Sequence, residues 1–360
     1  MYIQSLALKN FRNYESLDLS FGKGINILYG DNAQGKTNVL EAVYLCATTR
    51  SHRRSKDKEM IRFGQEESHL RMQVMREEIS HKVDMHLRRS KSKGIAIDGI
   101  PVKRSGELLG LAHIICFSPE DLSMIKNGPA ERRRFLDMEL CQMSRVYLHD
   151  IGKYNRIVNQ RNNLLRQISF EPSLKSTLDI WDEQMVSCGV RVIAQRQAFI
   201  DKLNERTQAV HAGITAGKEH LEIVYRPNVT ASLFAEKLAD SRDMDLRMKM
   251  TGTGPHRDDF AFMLGDIDLR KFGSQGQQRT AALSLKLAEI DFVRETSGDQ
   301  PVLLLDDVMS ELDSSRQNDL IRSMQEIQTI ITCTGLEDLI RHRMNIDHMF
   351  YVENGNITQK

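Results

Sequence analysis

The sequence predicts an α/β fold in which a lobe with strands and helices, built from both ends of the chain, is interrupted by a helical arm. Three observations support this: a glycine-rich loop between a strand and a helix pattern near residue 30, strand patterns that return after residue 250, and helical periodicity between them. We expect residues 1–119 to form the N-terminal half of this lobe, residues 120–250 the arm, and residues 251–360 the C-terminal half of the lobe. The 360 residues suffice for about two domains.

Composition narrows the class of protein. The formal net charge is +1, so affinity for nucleic acid would have to come from a local basic patch. The N-terminus lacks the pattern of a signal peptide and no apolar run approaches the ~20 residues that span a bilayer, which predicts a soluble, cytoplasmic protein with no membrane partner. The cysteines lack C-x-x-C spacing and are odd in number, as expected in a reducing compartment. They are Cys46, Cys116, Cys141, Cys188 and Cys333.

The glycine-rich loop matches the pattern G-x-x-x-x-G-K-[ST] in full. An apolar strand pattern at 25–28 precedes it, and apolar residues at helical spacing follow at 38–45, as this motif requires. Backbone N–H groups at such a helix N-terminus favour an anion, a lysine adds a cation for the terminal phosphates, and a threonine hydroxyl can bind Mg²⁺. We therefore predict a nucleoside triphosphate site formed by Gly30, Asp31, Asn32, Ala33, Gln34, Gly35, Lys36 and Thr37.

The first hundred residues otherwise indicate antiparallel strands beside the phosphate-loop core. Apolar residues alternate at 17–21, 70–74 and 83–87, and two short runs meet across Asp98-Gly99, a strong hairpin signal. Residues 113–117 predict another buried strand, which Ser118-Pro119 ends.

From about residue 120 to 250 we expect almost no strands. One helix face is predicted from Val146 to Leu165 and another from Leu178 to Ile193, separated at Glu171-Pro172-Ser173, and the two helices predict an antiparallel hairpin. Basic residues are frequent here, and for any one of them a solvated helix surface is the simpler interpretation.

Strand patterns return at Phe260–Leu264, and a helix is predicted from Gln277. A buried strand, 302–305, then ends in Asp306 and Asp307. An acidic residue at the tip of a buried strand points into the ligand crevice of an α/β sheet, where it can bind Mg²⁺. Asp306 fits this magnesium role and Asp307 could orient or deprotonate the attacking water; the alternative is an ordinary turn. The last segment predicts a hairpin with an Asn-Gly turn at 354–355.

A further motif, Ser274-Gln275-Gly276-Gln277-Gln278-Arg279, resembles the signature of ATP-binding-cassette (ABC) ATPases, and Ser310-Glu311-Leu312-Asp313 resembles their D-loop. The resemblance implies an ABC-type head in which Ser274, Gly276 and Gln277 cap the γ-phosphate of ATP bound by the opposite subunit of a dimer.

Within that superfamily the whole chain resembles the RecF family of bacterial recombination and replication-repair ATPases. The segments that carry the resemblance are 8–14, 30–37, 117–122, 132–137, 254–259 and the block from signature to D-loop. It implies a head like those of SMC proteins, with a mixed sheet, an antiparallel β patch and an inserted helical arm. It also implies ATP with Mg²⁺ as cofactors, ATP-dependent homodimerisation, slow ATP hydrolysis, and binding to gapped DNA at single-strand/double-strand junctions. The implied protein partners are RecO and RecR, and RecA indirectly through its loading on gapped DNA.

Residue roles follow from the same resemblance. Lys36 and Asp307 would be catalytic, Thr37 and Asp306 would hold the metal, and Arg12 and Asn13 would lie near the nucleotide. The family's Q-loop position is occupied by Ser118-Pro119-Glu120 without a glutamine, and Thr332 and Thr334 flank the position of the switch histidine.

Candidate DNA contacts are basic residues in the turn after the first helix and in the arm: Arg53, Arg54, Lys56, Arg132, Arg133 and Arg134. The arginine triplet could equally be structural, pairing with acids such as Glu131 and Asp137 on its own helix. Two other classes stay open: an ABC transporter subunit, which the long arm and Gln275 disfavour, and an ATP-gated clamp on protein partners that does not touch DNA.

Overall fold

The structure, a computed structural model, describes residues 1–335 and 345–360. They divide into two compact units: Met1–Asp121 with Lys286–Lys360, and Leu122–Leu285. Among the helices of these residues, none combines the length and the apolar character needed to cross a bilayer. The domain limits at 119 and 250 stay a prediction; the second of them falls between two strands that pair with each other, β9 and β10 below.

The elements follow one another along the chain. In the first unit they are β1 (Tyr2–Phe11), β2 (Tyr14–Ser20), β3 (Ile25–Tyr29), α1 (Lys36–Thr48), α2 (Asp57–Met60), β4 (Glu67–Arg76), β5 (Ile79–Arg88), β6 (Gly94–Ile97), β7 (Ile100–Pro101) and β8 (Ile114–Phe117). In the second they are α3 (Leu122–Lys126), α4 (Pro129–Met143), α5 (Arg145–Ile168), α6 (Leu178–Ile214), β9 (Leu221–Arg226), α7 (Phe234–Asp240), α8 (Arg242–Met248), β10 (Asp259–Leu264), β11 (Ile267–Asp268) and α9 (Leu269–Phe272). Helix α10 (Gln275–Ser297) contains the unit boundary, and the first unit ends with β12 (Val302–Asp306), α11 (Ser314–Ser323), β13 (Thr329–Cys333), β14 (Ile346–Glu353) and β15 (Asn356–Gln359).

An antiparallel sheet in the order β2-β1-β4-β5-β6-β7 forms one layer of the first unit. Alternate residues, such as Leu6, Leu70 and Val83, are buried in the core, so the other face carries the polar side chains. The predicted hairpin at Asp98-Gly99 is confirmed: both residues have positive φ, 53° and 81°, as a tight two-residue turn requires.

The second sheet of this unit has the order β15-β14-β3-β13-β12-β8, with β14, β3, β13, β12 and β8 parallel. Its central strands are buried along their whole length, which explains their continuous apolar runs. The carboxyl ends of β3 and β12 therefore meet at one edge. At that edge the chain places the phosphate loop after β3 and the two aspartates at the end of β12.

The second unit contains the predicted helical hairpin, and it is confirmed. Salt bridges from Arg161 to Asp182 and from Arg191 to Asp150, each 2.7 Å or shorter, join α5 to α6 in antiparallel register. Two expectations are wrong. Val146 is 64% exposed instead of lying on the buried face, and Arg161 is fully buried instead of solvated, because it is neutralised by carboxylates.

The prediction that strands almost vanish before residue 250 also missed an element. Strand β9 pairs antiparallel with β10, in a three-stranded sheet with β11. Its buried positions, Leu221, Ile223 and Tyr225, alternate with exposed ones, and this period of two was the available signal.

Candidate nucleotide-binding site

The loop between β3 and α1 has a backbone that only glycine tolerates at two positions. Gly30 has φ 146° and Gly35 has φ 115°. A Cβ at Gly30 would lie 2.3 Å from the carbonyl oxygen of Val352, and one at Gly35 would lie 2.5 Å from the side chain of Asn13. The glycines let the loop turn tightly at the N-terminus of α1, where unpaired N–H groups favour phosphate.

Neighbouring segments hold this loop in place. The carbonyl oxygen of Gln34 accepts a hydrogen bond from the Asn13 side chain (2.9 Å), and the Gln34 side chain accepts one from the N–H of Asn354 (2.6 Å). The hydroxyl of Tyr14 donates to the carbonyl of Gly35 at 3.0 Å. The C-terminal hairpin, predicted from its Asn-Gly turn and confirmed, thus fixes the loop from one side and the β1–β2 turn from another.

Lys36 lies inside the loop. Its Nζ donates to the carbonyl oxygens of Gly30 (2.6 Å) and Asp31 (2.7 Å), and the residue is 7% exposed. Burial lowers the pKa of the ammonium below its ordinary value, although Asp307 and Asp306 oppose this shift. The lysine is therefore a buried cation whose partners are two neutral carbonyls, and an anion in the loop would stabilise it.

The two predicted metal ligands, Thr37 and Asp306, are hydrogen-bonded to each other. The Oδ1 atom of Asp306 accepts hydrogen bonds from the hydroxyls of Thr37 (2.7 Å) and Thr332 (2.8 Å). Burial raises the pKa of this carboxyl, but contacts with His52, Thr37 and Thr332 outweigh burial and leave the pKa below its usual range. An ionised carboxylate beside a threonine hydroxyl is a donor set of hard oxygens, which fits Mg²⁺.

Asp307 follows directly and occupies an unusual backbone conformation, with φ 56°. Its N–H donates to the Thr332 hydroxyl at 3.0 Å, and its carbonyl accepts from Ser310, in the predicted D-loop, at 2.9 Å. Positive φ in a non-glycine residue has to be enforced by such contacts, and it often occurs at functional sites. The side chain is half-buried, and its predicted role toward the attacking water stays a prediction.

A residue that sequence reasoning missed, His52, lies beside the carboxylate of Asp306. The His52 side chain is 5% exposed, its Nε2 lies 3.8 Å from Oδ2 of Asp306, and its ring packs edge-on against Tyr44 at 5.7 Å. Both ring nitrogens are buried without a hydrogen-bond partner. The available signal was a histidine inside a run of basic residues, which we had interpreted only for its charge.

Arg12 and Asn13, expected near the nucleotide, lie at this end of the first unit. Asn13 also accepts a hydrogen bond from the side chain of Asn38, at 2.8 Å, in the first turn of α1.

Arg12 is held within the protein. Its Nε and Nη2 bind the two oxygens of Glu41, both at 2.7 Å. Its Nη1 donates to the carbonyl of Glu59, and Ser55 is a further partner. Burial raises the pKa of Glu41, but Arg12 and Ser51 outweigh it and keep the pKa low.

The signature segment caps helix α10, which begins at Gln275, two residues before its predicted start. The hydroxyl of Ser274 accepts from the N–H of Gln277 (3.2 Å), and the Gln277 side chain accepts from the N–H of Ser274 (3.0 Å), a reciprocal capping box. The Gln277 amide also donates to Glu219 at 3.0 Å, so this side chain is held inside its own unit. Ser274 and Gly276 are exposed at the N-terminal end of a 23-residue helix, where an anion is favoured.

The six candidate DNA contacts differ in exposure. Arg53, Arg54 and Lys56 are exposed, and Arg53 lies 3.5 Å from Asn38 at the start of α1. In the arm, Arg132 is 2% exposed. Its guanidinium binds both oxygens of Asp259, at 2.6 and 3.0 Å, and two backbone carbonyls.

Arg132 is therefore unsuited to contact DNA, since every donor group serves the interior of the second unit. For Arg132 the structural interpretation has the better geometry, with Asp259 on β10 as the carboxylate partner. Arg133 is half-buried and donates to the carbonyl of Asp258 at 2.7 Å, and Arg134 is half-buried too.

The fold and this site define an ATPase head with a phosphate loop, a strand-end carboxylate and a helix-capping signature. The family described as RecF/RecN/SMC N terminal domain matches residues 2–358. The chain is 56% identical over 357 residues to the DNA replication and repair protein RecF of Lachnoclostridium phytofermentans, covering 99% of each chain. It is 53% identical over 362 residues to the RecF of Lachnospira eligens, covering 100% of each.

A solved structure of the recombination mediator protein RecF with ATP, in the RecFOR pathway, superposes with a TM-score of 0.94 at 35% identity, covering 100% of this chain and 97% of the other. An SMC head bound to the C-terminal winged-helix domain of ScpA gives a TM-score of 0.58 at 15% identity over 100% and 97%, a likeness of fold alone. The chain belongs to the RecF family. The resemblance to this family and the fold class, both predicted from the sequence, are thereby confirmed.

Proposed function

We propose that this protein is an ATP-dependent DNA-binding protein of recombinational repair and replication. It binds ATP with Mg²⁺ at the phosphate loop and dimerises with the nucleotide shared between subunits. The dimer binds gapped DNA at single-strand/double-strand junctions. With RecO and RecR it helps to load RecA, and slow hydrolysis of ATP resets it. The observation that carries the proposal is the convergence of Lys36, Thr37 and Asp306 at one edge of the parallel sheet.

Each side chain at that edge has a role that follows from its contacts. Lys36 leaves its two carbonyl partners to bind the terminal phosphates, because a phosphate oxygen is the stronger acceptor for an ammonium. Thr37 and Asp306 hold Mg²⁺, which would neutralise charge on the phosphates. Asp307 orients the attacking water, and His52 positions Asp306 from the opposite side to Thr37.

The signature residues support the dimer. Ser274 and Gly276 are exposed at a helix N-terminus, so they are available to the γ-phosphate held by a second subunit. Association would then depend on ATP by mass action, and hydrolysis would release the partners. We further propose that residues 1–119 and 251–360 form the ATPase lobe and residues 120–250 the arm. The site of action would be the cytoplasm, consistent with five free, buried cysteines.

The dimer is tested by molar mass in solution, measured by light scattering with Mg-ATP and with ADP. We expect a dimer only with Mg-ATP, a longer-lived dimer for Asp307→Asn, and none for Ser274→Arg. The matched control is Ser176→Arg, another exposed serine of the second unit, which should dimerise like the wild type. A mass that ignores ATP in every variant would contradict the shared nucleotide.

DNA binding is tested separately, because the burial of Arg132 removes one expected contact and favours the alternative of a protein clamp. The affinity of the ATP-bound dimer for gapped DNA should fall steeply with salt, since it depends on neutralised phosphates. Charge reversal at Arg53 and Arg54 should reduce both the affinity and the salt slope. An affinity that is absent or independent of salt would favour the clamp on protein partners.

A further inference from the structure

A second group of possible metal ligands lies on the polar face of the antiparallel sheet, apart from the residues assigned to ATP. Glu67 and His69 are two residues apart on β4 and therefore share a face, and His86 lies directly opposite His69 on β5. Glu67 and His69 are exposed and His86 is half-buried, so an ion in solution can reach all three.

The three side chains are already gathered. Nε2 of His86 lies 2.9 Å from one oxygen of Glu67, and Nε2 of His69 lies 3.6 Å from the other. The two imidazole rings stack at 3.9 Å with 21° between their planes. One ligand atom from each residue lies within 4.8 Å of the others.

We propose that Glu67, His69 and His86 bind a divalent transition-metal ion of the Zn²⁺ class. Two imidazole nitrogens and one carboxylate oxygen, with water in the remaining position, form a ligand set that suits zinc, whereas Mg²⁺ selects oxygen ligands. Zinc ligands about 2.0–2.1 Å from the ion lie roughly 3.4 Å apart in a tetrahedron. Since no two of the three ligand atoms are more than 4.8 Å apart, their separations need to change by about 1.4 Å at most, which exposed side chains on paired strands can do by rotating.

The electrostatic surroundings set the strength of the site. The carboxylate of Glu67 favours the ion, and both histidines already lie against it. Lys9 lies opposite His69 on β1, and Arg88 lies opposite Glu67 on β5; both cations oppose the ion. The adjoining charges, Arg71 and Asp84, form a salt bridge at 2.6 Å. Removal of the Lys9 charge should therefore strengthen metal binding.

Within the part of the chain that the structure describes, no other group of three His, Cys, Asp or Glu side chains is gathered closely enough to hold an ion. All five cysteines are buried, and burial raises the pKa of Cys46 to about 12, so its thiolate is scarce. His81 and Asp98 form a comparable pair on the same sheet, 2.9 Å apart, but supply only two ligands. That pair is the matched control.

A bound ion would link the first residues of β4 to the last residues of β5. Because the ligands are close together only in the folded sheet, the ion would stabilise the fold in proportion to its occupancy. The proposal thus predicts both a metal-binding signal and a metal-dependent rise in the melting temperature.

The test uses the full chain without nucleotide or Mg²⁺, titrated with Co²⁺ and followed by the visible absorption of the ion. Zn²⁺ is then added to displace it. Variants are Glu67→Gln, His69→Ala, His86→Ala and Lys9→Gln, with His81→Ala as the control, and circular dichroism confirms that each folds.

We expect one Co²⁺ per chain, displaced by Zn²⁺, with binding weakened more than about tenfold by loss of any of the three ligands. His81→Ala should bind like the wild type, and Lys9→Gln should bind more tightly. The proposal is overturned if the wild type gives no cobalt absorption. It is equally overturned if the three ligand variants bind cobalt as well as the wild type.

Discussion

Two buried cations, Arg196 in the second unit and Lys36 in the first, have opposite kinds of partner. In the second unit, Arg196 is 1% exposed and every donor group is used, on Asp137, Asp258, the Tyr147 hydroxyl and the carbonyl of Pro255, between 2.6 and 2.9 Å. At the phosphate-loop edge of the first unit, buried Lys36 binds only neutral carbonyls.

This difference separates structural charge from functional charge. A buried cation with carboxylate partners is already neutralised, so removing it destabilises the fold. A buried cation with incomplete partners is a burden on the fold that a ligand relieves, so removing it should weaken binding while leaving the fold intact. His52 resembles the second kind in one respect, because both of its buried ring nitrogens lack a hydrogen-bond partner beside Asp306.

The largest effect on stability is expected for Arg196→Met. It leaves Asp258 buried without its cation and should lower the free energy of unfolding by about 3–5 kcal/mol, measured by urea denaturation. The control is Lys237→Met, which removes an exposed cation from ion pairs with Glu236 and Asp240 and should cost less than about 1 kcal/mol. Equal losses in both variants would show that burial of the pair does not matter.

The next effect is a dependence on pH in the second unit. His256 receives a hydrogen bond from Tyr154 (2.7 Å) and donates to the carbonyl of Thr251 (3.0 Å), and burial lowers its pKa to about 4. The unfolded histidine takes up a proton near its ordinary value and the folded one does not. Stability is therefore complete above about pH 6.5 and is lost as the pH falls toward 4, by up to about 3 kcal/mol.

His256→Gln should flatten this profile between pH 4 and pH 7, whereas His149→Gln, at an exposed histidine of α5, should keep the slope. An unchanged slope in His256→Gln would mean that other groups carry the acid sensitivity.

At the phosphate loop, loss of a buried cation should not lower the unfolding free energy, in contrast to Arg196→Met. Lys36→Met should weaken ATP binding by about 2–3 kcal/mol, or roughly 30- to 150-fold, because a charge-assisted contact with phosphate is lost. Its unfolding free energy in the absence of nucleotide should be equal to or above that of the wild type, since an incompletely paired ammonium leaves the interior. Calorimetric titration measures the ATP affinity and urea denaturation of the same sample measures the unfolding free energy. A large loss of stability would mean that Lys36, like Arg196, has a structural role.

The smallest effect is expected for His52→Phe. Phenylalanine can keep the edge-on packing against Tyr44 and removes two buried, unpaired nitrogens, so stability without nucleotide should rise by about 1 kcal/mol. Hydrolysis should need more Mg²⁺, because Asp306 loses a neighbour that positions it. If stability falls and the Mg²⁺ requirement is unchanged, His52 has only a packing role.

Local patterns predicted much of this molecule. The strand–loop–helix around Lys36, the strand ending at Asp306, both hairpin turns and the helical pair α5–α6 are each encoded within a few residues, by periodicity or by turn chemistry. Contacts between distant segments were not encoded in this way. Nothing local indicates that Arg132 pairs with Asp259, or that His52 lies against Asp306, because these pairs are 127 and 254 residues apart. Strand β9 was missed for a different reason, since its alternation was present but stood within a long helical context.

We propose that Mg-ATP binds at the edge of the parallel sheet where Lys36, Thr37 and Asp306 meet. The most direct test is calorimetric titration of ATP with and without Mg²⁺, for the wild type, Thr37→Val and Asp306→Asn. Valine has nearly the shape of threonine but lacks the hydroxyl that lies 2.7 Å from Asp306. Mg²⁺ should strengthen ATP binding to the wild type and give little or no gain in either variant. An equal gain from Mg²⁺ in all three proteins would contradict this proposal.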